Sequence, residues 1–319
     1  MLLDEDSQPK LTEFPPIFDR QMFMSITVEF GSNEKLAASR LIESSLLEDL
    51  GTAGDITSRA FLNPESTGTV QIVSREPGVL AGIPIAEQVF AAIDSRVRVV
   101  SLMNDGAQLS PGSVVAEIQG PTLSLLEGER TVLNFLTHLS GIASLTARFV
   151  VEVKGTLAQI LDTRKTLPGW RLLQKYAVRA GGGTNHRIGL YDAVLIKDNH
   201  LAAWKTANPD QPLAAALQAV RKRVPEGTII EIEVDRLDQL KEALPGGPDI
   251  VLLDNMPPET MREAVAIRNS LAPHVLLEAS GGVRLDSVAA IAATGVERIS
   301  VGALTHSAPH LDLGLDWKN

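Results

Sequence analysis

The sequence predicts an α/β protein in which an N-terminal α+β, sandwich-like domain precedes an incomplete TIM-like α/β barrel. From about residue 158 onward, apolar strand-like segments alternate with helical segments, and polar residues follow each strand. This alternation indicates parallel βαβ units. Aromatic residues make up only 4% of the chain. Aliphatic side chains must therefore form most of the core, which favours α/β layers over an aromatic-rich β-sandwich.

The chain divides into four predicted segments. Residues 1–26 form an irregular arm, because Pro9, Pro15 and Pro16 interrupt any helix there. Residues 27–140 form the α+β domain, in which β-branched segments alternate with Pro-Gly and Asn-Asp-Gly turns. A helix over 123–153, broken near 140–141, leads into the barrel at 141–303. Residues 304–319 are a tail that we expect to pack back on the N-terminal domain.

The second domain contains six predicted strands, at 158–161, 193–196, 229–234, 250–253, 275–279 and 298–301. A seventh strand near 182–188 is left open, so a complete eight-stranded barrel is not expected. The alternative is an open doubly wound sheet, which gathers its polar residues at one switch point. We favour the barrel, because polar residues end every strand and no GxGxxG motif follows the first one.

Composition excludes several classes of protein. The formal net charge of −10 at pH 7 argues against a nucleic-acid partner, which would require clustered lysine and arginine. The chain has no cysteine, which rules out disulfides, thiolate catalysis and Cys-ligated metals and fits a reducing compartment. No apolar run approaches the roughly 20 residues that span a bilayer. We therefore expect a cytoplasmic protein with no membrane partner.

A basic segment at 162–200 stands out in this acidic chain. Clustered positive charge of this kind marks an anion site. Arg164, Lys165 and Lys197 follow predicted strands, where side chains point into the mouth of a barrel. The planar guanidinium of arginine binds a carboxylate through two parallel hydrogen bonds, and lysine binds phosphate as a point charge. The three cations Arg171, Lys175 and Arg179 are spaced by four residues, and we interpret them as a solvated helix face.

The glycine run at 181–183 leads directly into Thr184-Asn185-His186-Arg187. Glycine lets the backbone approach a ligand closely, so we place His186 and Arg187 in the same site; a linker is the alternative. Two glycine turns, one at Ser280-Gly281-Gly282 and one at Val301-Gly302-Ala303, follow the last two strands. Such late barrel loops often hold phosphate through backbone N–H groups.

Glu233 and Asp254 each end a predicted strand. Carboxylates at the mouth of a cationic pocket can bind ribose hydroxyls, hold Mg²⁺ with a pyrophosphate or stabilise a developing cation. The structural alternative for both residues is a buried salt bridge to Lys197, and the two interpretations are compatible.

Taken together, these motifs resemble the quinolinate phosphoribosyltransferase family, also called nicotinate-nucleotide pyrophosphorylase (carboxylating). The resemblance covers about residues 35–316, and the N-terminal arm lies outside it. It is carried by Glu48–Gly51 with Gly54–Thr57, Glu129–Asn134, Thr163–Thr166, GGGTNHR at 181–187, Leu195–His200, Glu231–Asp235, Leu253–Met256, Glu278–Gly282 and Val301–His306.

The resemblance implies synthesis of nicotinate mononucleotide, pyrophosphate and CO₂ from quinolinate and phosphoribosyl pyrophosphate, with Mg²⁺ as cofactor. It also implies a homodimer with sites shared between subunits; assembly beyond a dimer is left open. The residues that it implies for substrate binding are Arg130 from the partner subunit, Thr163, Arg164, Lys165, His186, Arg187, Lys197, Glu233, Asp254, Ser280, Gly281, Gly282, Val301, Gly302 and Ala303.

Among these residues, Arg164, His186, Arg187 and Lys197 are expected around the quinolinate carboxylates. The predicted catalytic residues are Lys165, Lys197, Glu233 and Asp254, and Glu233 and Asp254 would also hold Mg²⁺ through phosphoribosyl pyrophosphate.

Three rival functions are also compatible with the sequence. Lys197 could form a Schiff base in a lyase or aldolase if its pKa were depressed. The fold could instead serve transport or binding without turnover, or the acceptor could be nicotinate rather than quinolinate.

Overall fold

A computed structural model of the protein describes residues 28–318. The predicted arm at 1–26 lies outside the described residues. The N-terminal part contains α1 (Ser32–Leu50), α2 (Ile56–Phe61), β1 (Thr67–Ser74), β2 (Gly78–Val79), α3 (Ile83–Ile93), β3 (Arg98–Ser101), β4 (Gln108–Leu109) and β5 (Val114–Pro121). The β-branched segments of the sequence thus form strands, and the helix α3 lies between β2 and β3.

The main N-terminal sheet is antiparallel and includes a strand from the other end of the chain. Its order is β12-β1-β5-β3, where β12 spans Leu313–Trp317. Val70 of β1 pairs with Trp317, and Ser74 pairs with Leu313. The segment after the barrel therefore returns to the N-terminal sheet. It contributes main-chain hydrogen bonds to this sheet and covers the outer edge of β1.

A single long helix, α4 (Thr122–Glu152), joins the two parts of the molecule. The predicted break near 140–141 is wrong, because both residues lie inside this helix. Gly141 is needed there for close packing, since a Cβ built on it would collide with the carbonyl oxygen of Pro309. Ser140 Oγ accepts a hydrogen bond of 3.0 Å from the N–H of Ala81. The small residues therefore let neighbouring backbone approach the helix.

The second part of the chain forms a parallel α/β barrel that is not closed. Its elements are β6 (Gln159–Leu161), α5 (Arg171–Ala180), β7 (Val194–Ile196), α6 (Asp198–Ala207), α7 (Leu213–Arg221), β8 (Ile230–Val234), α8 (Leu237–Ala243), β9 (Ile250–Asp254), α9 (Pro258–Leu271), β10 (Leu276–Ser280), α10 (Val288–Ala292), β11 (Arg298–Ser300) and α11 (Ala303–His306). A 3-10 turn, Leu244–Gly246, follows α8.

The strand order confirms an incomplete barrel. The sheet runs β6-β11-β10-β9-β8-β7, and all its pairs are parallel. The first strand thus pairs with the last, as in a barrel, with no reversal of order as in a doubly wound sheet. Within residues 28–318, β6 and β7 do not pair, so the barrel is open between them. The predicted seventh strand is reduced to a single parallel bridge between Leu161 and Thr184.

The apolar core continues through both parts of the molecule. Buried aliphatic side chains from α1, α3, α4 and all six barrel strands belong to one hydrophobic cluster. In the described part of the chain, none of the helices is long and apolar enough to cross a membrane.

Candidate active site

The carboxyl ends of the barrel strands bring the predicted residues to one end of the barrel. Thr163, Arg164 and Lys165 follow β6, and Lys197 follows β7. Glu233 lies near the end of β8, Asp254 ends β9, Ser280 ends β10, and Gly302 follows β11. Asp254 and Ser280 are paired in register across neighbouring strands. This end of the barrel is called the mouth below.

Two arginine side chains define the cationic centre of the mouth. Arg164 is half-buried, and its Nε is buried with no hydrogen-bond partner within residues 28–318. Arg187 donates from Nη1 to the carbonyl oxygen of Ala193 at 3.1 Å. Burial and the neighbouring charge of Arg164 lower the pKa of the Arg187 guanidinium. Neither guanidinium forms a salt bridge to another described residue, so both remain available to an anionic ligand.

Lys197 and Glu233 form an ion pair at the mouth, between Nζ and Oε2. Glu233 thus forms the expected pair with Lys197, but the pair is only partly buried, and Asp254 forms no such pair in the described part of the chain. The Lys197 side chain is 44% exposed and that of Glu233 is 14% exposed. Since lysine is flexible and strongly hydrated, an incoming anion can compete for Lys197 and free the Glu233 carboxylate.

The loops after β6 and β11 lie against each other. Thr305 Oγ1 donates a hydrogen bond of 2.8 Å to the carbonyl oxygen of Lys165. A Cβ built on Gly302 would lie 3.3 Å from Cδ of Lys165 and 3.1 Å from Nε2 of His306. The exposed Lys165 therefore lies beside the predicted phosphate loop. His306 is a polar neighbour that the sequence analysis did not include in the site.

The loop after β10 needs glycine for two reasons. Gly281 and Gly282 have φ values of 94° and 60°, which are left-handed conformations that favour glycine. A Cβ on Gly281 would also lie 2.9 Å from the backbone nitrogen of Asn255. Asn255 itself has φ 54° and donates its N–H to the carbonyl oxygen of Ser280 at 2.8 Å. Asn255 is thus a second residue that sequence reasoning missed.

The other members of the predicted phosphate loops have structural contacts. Val301 is buried, and its N–H donates to the carbonyl oxygen of Leu161 at 2.8 Å. Ala303 begins the four-residue helix α11. Thr163 Oγ1 accepts a hydrogen bond of 3.1 Å from the N–H of Lys165, which shapes the loop after β6.

His186 points into the barrel interior, where it meets two buried carboxylates. Its Nε2 lies 3.2 Å from Oε2 of Glu231 and 3.2 Å from Oε1 of Glu278. The His186 side chain is only 9% exposed. Glu231 and Glu278 are 2% and 0% exposed, and Nε of Arg298 donates to Glu278 at 2.7 Å. These four residues form a buried polar cluster beneath the mouth.

The protonation of this cluster follows from its hydrogen bonds. Burial lowers the pKa of His186, but bonding to Glu231 and Glu278 outweighs it and raises the pKa to about 9. Burial also raises the pKa of Glu231. The N–H of Arg187 donates to Nδ1 of His186 at 2.8 Å, which requires a lone pair on Nδ1. Nδ1 is therefore the acceptor of the Arg187 N–H, and Nε2 carries a proton that faces Glu231 and Glu278.

Three buried side chains lie close enough together to be considered as metal ligands. One potential ligand atom from each of His186, Glu231 and Glu278 lies within 4.8 Å of the others. The hydrogen bond from the Arg187 N–H argues against a metal there. With Nδ1 acting as an acceptor, Nε2 must carry the proton and has no lone pair for a cation.

The interpretation of Arg171, Lys175 and Arg179 as a solvated helix face is wrong. Lys175 is fully buried and forms an ion pair with Asp162, which is also fully buried. Arg171 donates from Nε to Thr166 Oγ1 at 3.0 Å. Arg179 bonds Asn185 and Glu34 at 2.7 and 2.8 Å. Four-residue spacing places the three cations on one face, but this face of α5 packs against the site loops.

Arg130 is exposed on α4 in the N-terminal part of the molecule. Within residues 28–318 no hydrogen bond or salt bridge connects it to the mouth. Its predicted contribution belongs to a partner subunit and stays a prediction.

The fold and the site together define an α/β-barrel enzyme with a cationic mouth suited to small anionic substrates. The family model for the quinolinate phosphoribosyl transferase C-terminal domain matches residues 142–316, and the model for the N-terminal domain matches residues 55–140. The chain belongs to the quinolinate phosphoribosyltransferase family.

Individual relatives match over nearly their whole length. The chain is 48% identical to the nicotinate-nucleotide pyrophosphorylase [carboxylating] of Mycobacterium leprae over 284 residues, covering 88% of this chain and 97% of the relative. It is 41% identical to a probable enzyme of the same name from Bacillus subtilis, with coverages of 88% and 93%. The solved structure of the nicotinate-nucleotide pyrophosphorylase from Francisella tularensis superposes with a TM-score of 0.82 at 38% identity, covering 92% of this chain and 99% of that one.

Proposed function

We propose that this protein transfers the phosphoribosyl group of phosphoribosyl pyrophosphate to quinolinate, releasing pyrophosphate and CO₂ and forming nicotinate mononucleotide for NAD biosynthesis. The observation that carries the proposal is the pair of guanidiniums at the mouth, Arg164 and Arg187, which have no carboxylate partner within residues 28–318. Two adjacent cations without counter-ions suit a dicarboxylate, since each arginine can grip one carboxylate.

In the proposed mechanism, Arg164 and Arg187 bind the two carboxylates and orient the pyridine nitrogen toward the anomeric carbon. Alignment of this kind removes much of the entropic barrier to transfer. As the nitrogen–carbon bond forms, the bond to pyrophosphate breaks with oxocarbenium character, which Glu233 and Asp254 stabilise from the ends of β8 and β9. The positively charged ring nitrogen then stabilises the carbanion that departing CO₂ leaves on the neighbouring ring carbon, and a proton taken up from solvent at that carbon completes nicotinate mononucleotide.

The phosphate groups have separate partners in this proposal. Lys165 lies beside Gly302, where the loop after β11 begins, and supplies a point charge for phosphate there. The left-handed Gly281 and Gly282 leave the loop after β10 open to close approach by phosphate. Lys197 exchanges its Glu233 contact for a substrate anion.

Glu233 and Asp254 are also the residues that would hold Mg²⁺ together with the substrate pyrophosphate. Mg²⁺ is commonly bound through one or two carboxylates plus phosphate oxygens, which agrees with two half-buried carboxylates on neighbouring strands. The ion would neutralise negative charge on the leaving group.

We further propose a homodimer in which the partner subunit's α4 supplies Arg130 to the mouth. The exposure of Arg130 and the absence of any intrachain partner for it within residues 28–318 support this arrangement. A cytoplasmic location agrees with the lack of cysteine.

The deciding assay offers quinolinate and nicotinate separately, with phosphoribosyl pyrophosphate and Mg²⁺, and follows nucleotide formation and CO₂ release. We expect turnover with quinolinate and none with nicotinate. Arg164→Ala should weaken quinolinate binding by roughly 10- to 100-fold, as expected for one lost charge-assisted interaction. Arg262→Ala, which removes an exposed arginine on α9, is the control. Near-normal turnover by Arg164→Ala would remove the basis of the proposal.

A further inference from the structure

The buried cluster beneath the mouth has no role in the mechanism above. Glu231 and Glu233 occupy alternate positions of β8, so both lie on the interior face of the barrel, with Glu231 one layer deeper. Glu278 lies on β10, and β9 separates the two strands. The His186 ring joins Glu231 and Glu278 across the interior, at 3.2 Å from each.

This cluster lowers the stability of the folded state. Oε1 of Glu231 and Oε1 of Glu278 are both buried without a hydrogen-bond partner within residues 28–318, although Nε2 of His186 lies 3.2 Å from Oε1 of Glu278. A buried polar atom that lacks a partner costs free energy that apolar side chains of similar size would avoid. Stability alone therefore gives no reason for two carboxylates in the centre of the barrel.

His186 is fixed on every side by the protein. Its N–H donates to Asp162 at 2.9 Å, and its carbonyl oxygen accepts from Lys175 at 2.9 Å. Its Nδ1 accepts the Arg187 N–H at 2.8 Å, and its Nε2 faces Glu231 and Glu278. All the polar groups of His186 are thus engaged within the chain.

The orientation of the imidazole ring therefore constrains the backbone at Arg187, which carries the ligand-binding side chain. If the ring rotated, Nδ1 would leave the Arg187 N–H and the backbone at Arg187 would lose a constraint. On the opposite side of the ring, the two carboxylates prevent this rotation. Holding a ligand-binding side chain through its supporting contacts improves binding, because fewer conformations must be frozen when the ligand arrives.

We infer that Glu231 and Glu278 are positioning residues for the diacid substrate, acting through His186 to hold Arg187 in its binding geometry. The inference rests on the proposed function, since it assigns Arg187 to a carboxylate of quinolinate. It also gives His186 a supporting role, distinct from the direct substrate contact that the sequence resemblance implies.

The test measures binding of quinolinate and of phosphoribosyl pyrophosphate separately, by calorimetry on the intact protein, for Glu231→Gln and Glu278→Gln. Both variants keep side-chain size and remove the carboxylate. We expect the Kd of quinolinate to rise about tenfold, equivalent to about 1.4 kcal/mol, with the Kd of phosphoribosyl pyrophosphate within about twofold of the parent. Glu297→Gln is the matched control, because Glu297 forms a largely buried pair with Arg268 before β11, at the opposite end of the strands.

A double variant separates positioning from general destabilisation. His186→Asn retains an acceptor near the Arg187 N–H but cannot reach the carboxylates. If Glu231 acts through His186, adding Glu231→Gln to His186→Asn produces no further loss of quinolinate affinity, whereas independent effects would add. Glu278 is fully buried. If Glu278→Gln does not fold, the positioning role is tested by Glu231→Gln alone and in combination with His186→Asn.

The outcomes separate the two proposals. A parent protein that does not bind or turn over quinolinate refutes the proposed function itself. A fully active parent whose Glu231→Gln variant binds quinolinate within about twofold of normal refutes the positioning role alone. Equal weakening of both substrates, or additive losses in the double variant, also overturns the inference, because either result means a general loss of structure.

Discussion

The buried ion pair between Lys175 and Asp162 allows a quantitative prediction for Lys175→Met. Both side chains are fully buried. Burial raises the pKa of Asp162 and lowers that of Lys175, while their mutual attraction opposes both shifts. Removing the lysine charge leaves a carboxylate in the interior with no cation to compensate it. Breaking a buried pair from one side typically costs about 3–5 kcal/mol.

Two remaining contacts set the expected loss at the lower end of that range. Asp162 still accepts from Asn185 Nδ2 at 2.6 Å and from the His186 N–H at 2.9 Å. We therefore expect a loss of about 3 kcal/mol in the free energy of unfolding. At about 2 °C for each kcal/mol, this corresponds to a fall of about 6 °C in Tm. Quinolinate affinity should fall as well, because Lys175 also holds the carbonyl oxygen of His186.

The assay is thermal and urea unfolding followed by circular dichroism. Lys154→Met, at an exposed position, is the control and should stay within about 0.5 kcal/mol of the parent. Adding Asp162→Asn to Lys175→Met removes the uncompensated charge and should recover about 1 kcal/mol. A Lys175→Met variant within about 1 kcal/mol of the parent, or a double variant less stable than the single one, would refute this account of the pair.

Three further predictions follow from other parts of the structure. Gly141→Ala should lower stability by about 1–3 kcal/mol in urea unfolding, because its Cβ would meet the carbonyl oxygen of Pro309; an unchanged midpoint would contradict this packing. Burial raises the pKa of Asp105, so the folded state holds this proton more tightly than the unfolded state, and the free energy of unfolding should fall as pH rises above the ordinary aspartate pKa. The difference in unfolding free energy between the parent and Asp105→Asn should therefore shrink over that pH range. A difference that stays constant with pH would contradict the raised pKa. Chelation of Mg²⁺ should abolish turnover but leave the affinity for quinolinate alone unchanged, since Arg164 and Arg187 need no metal to hold a dicarboxylate. If chelation also abolished quinolinate binding, the metal would have to take part in holding quinolinate.

The barrel strands could be predicted from the sequence because each is a short apolar run followed by polar residues. The six predicted strands lie within two residues of the observed ones at either end. The helix α6 was missed because its start, Asp198-Asn199-His200, is polar and looks like a loop after β7. The strand β12 was missed because its partner, β1, is far away in the sequence, and local pattern contains no information about such a pairing.

Where residue type and strand position agree, as for Arg164, Lys197 and Glu233, the structure places the residue at the mouth, and its role stays a prediction. The sequence interpretation was wrong where the direction of a side chain mattered. Spacing by four indicates a shared helix face but does not say whether that face meets water, so Lys175 was misassigned. A usable signal was present for Glu231 and Glu278: each is a charged residue inside an otherwise apolar strand, and such a residue needs a buried partner.

The pairing of β12 with β1 has a consequence for the order in which the protein can assemble. Arg75 and Asp316, which form an ion pair beside these strands, are 241 positions apart in the sequence. While the chain emerges from the ribosome, β1 has an uncovered edge until the barrel has been synthesised. An exposed edge strand is a template for unwanted pairing with other chains. The nascent protein should therefore be most prone to aggregation just before its last strand becomes available, which ribosome-stalled chains of increasing length would reveal.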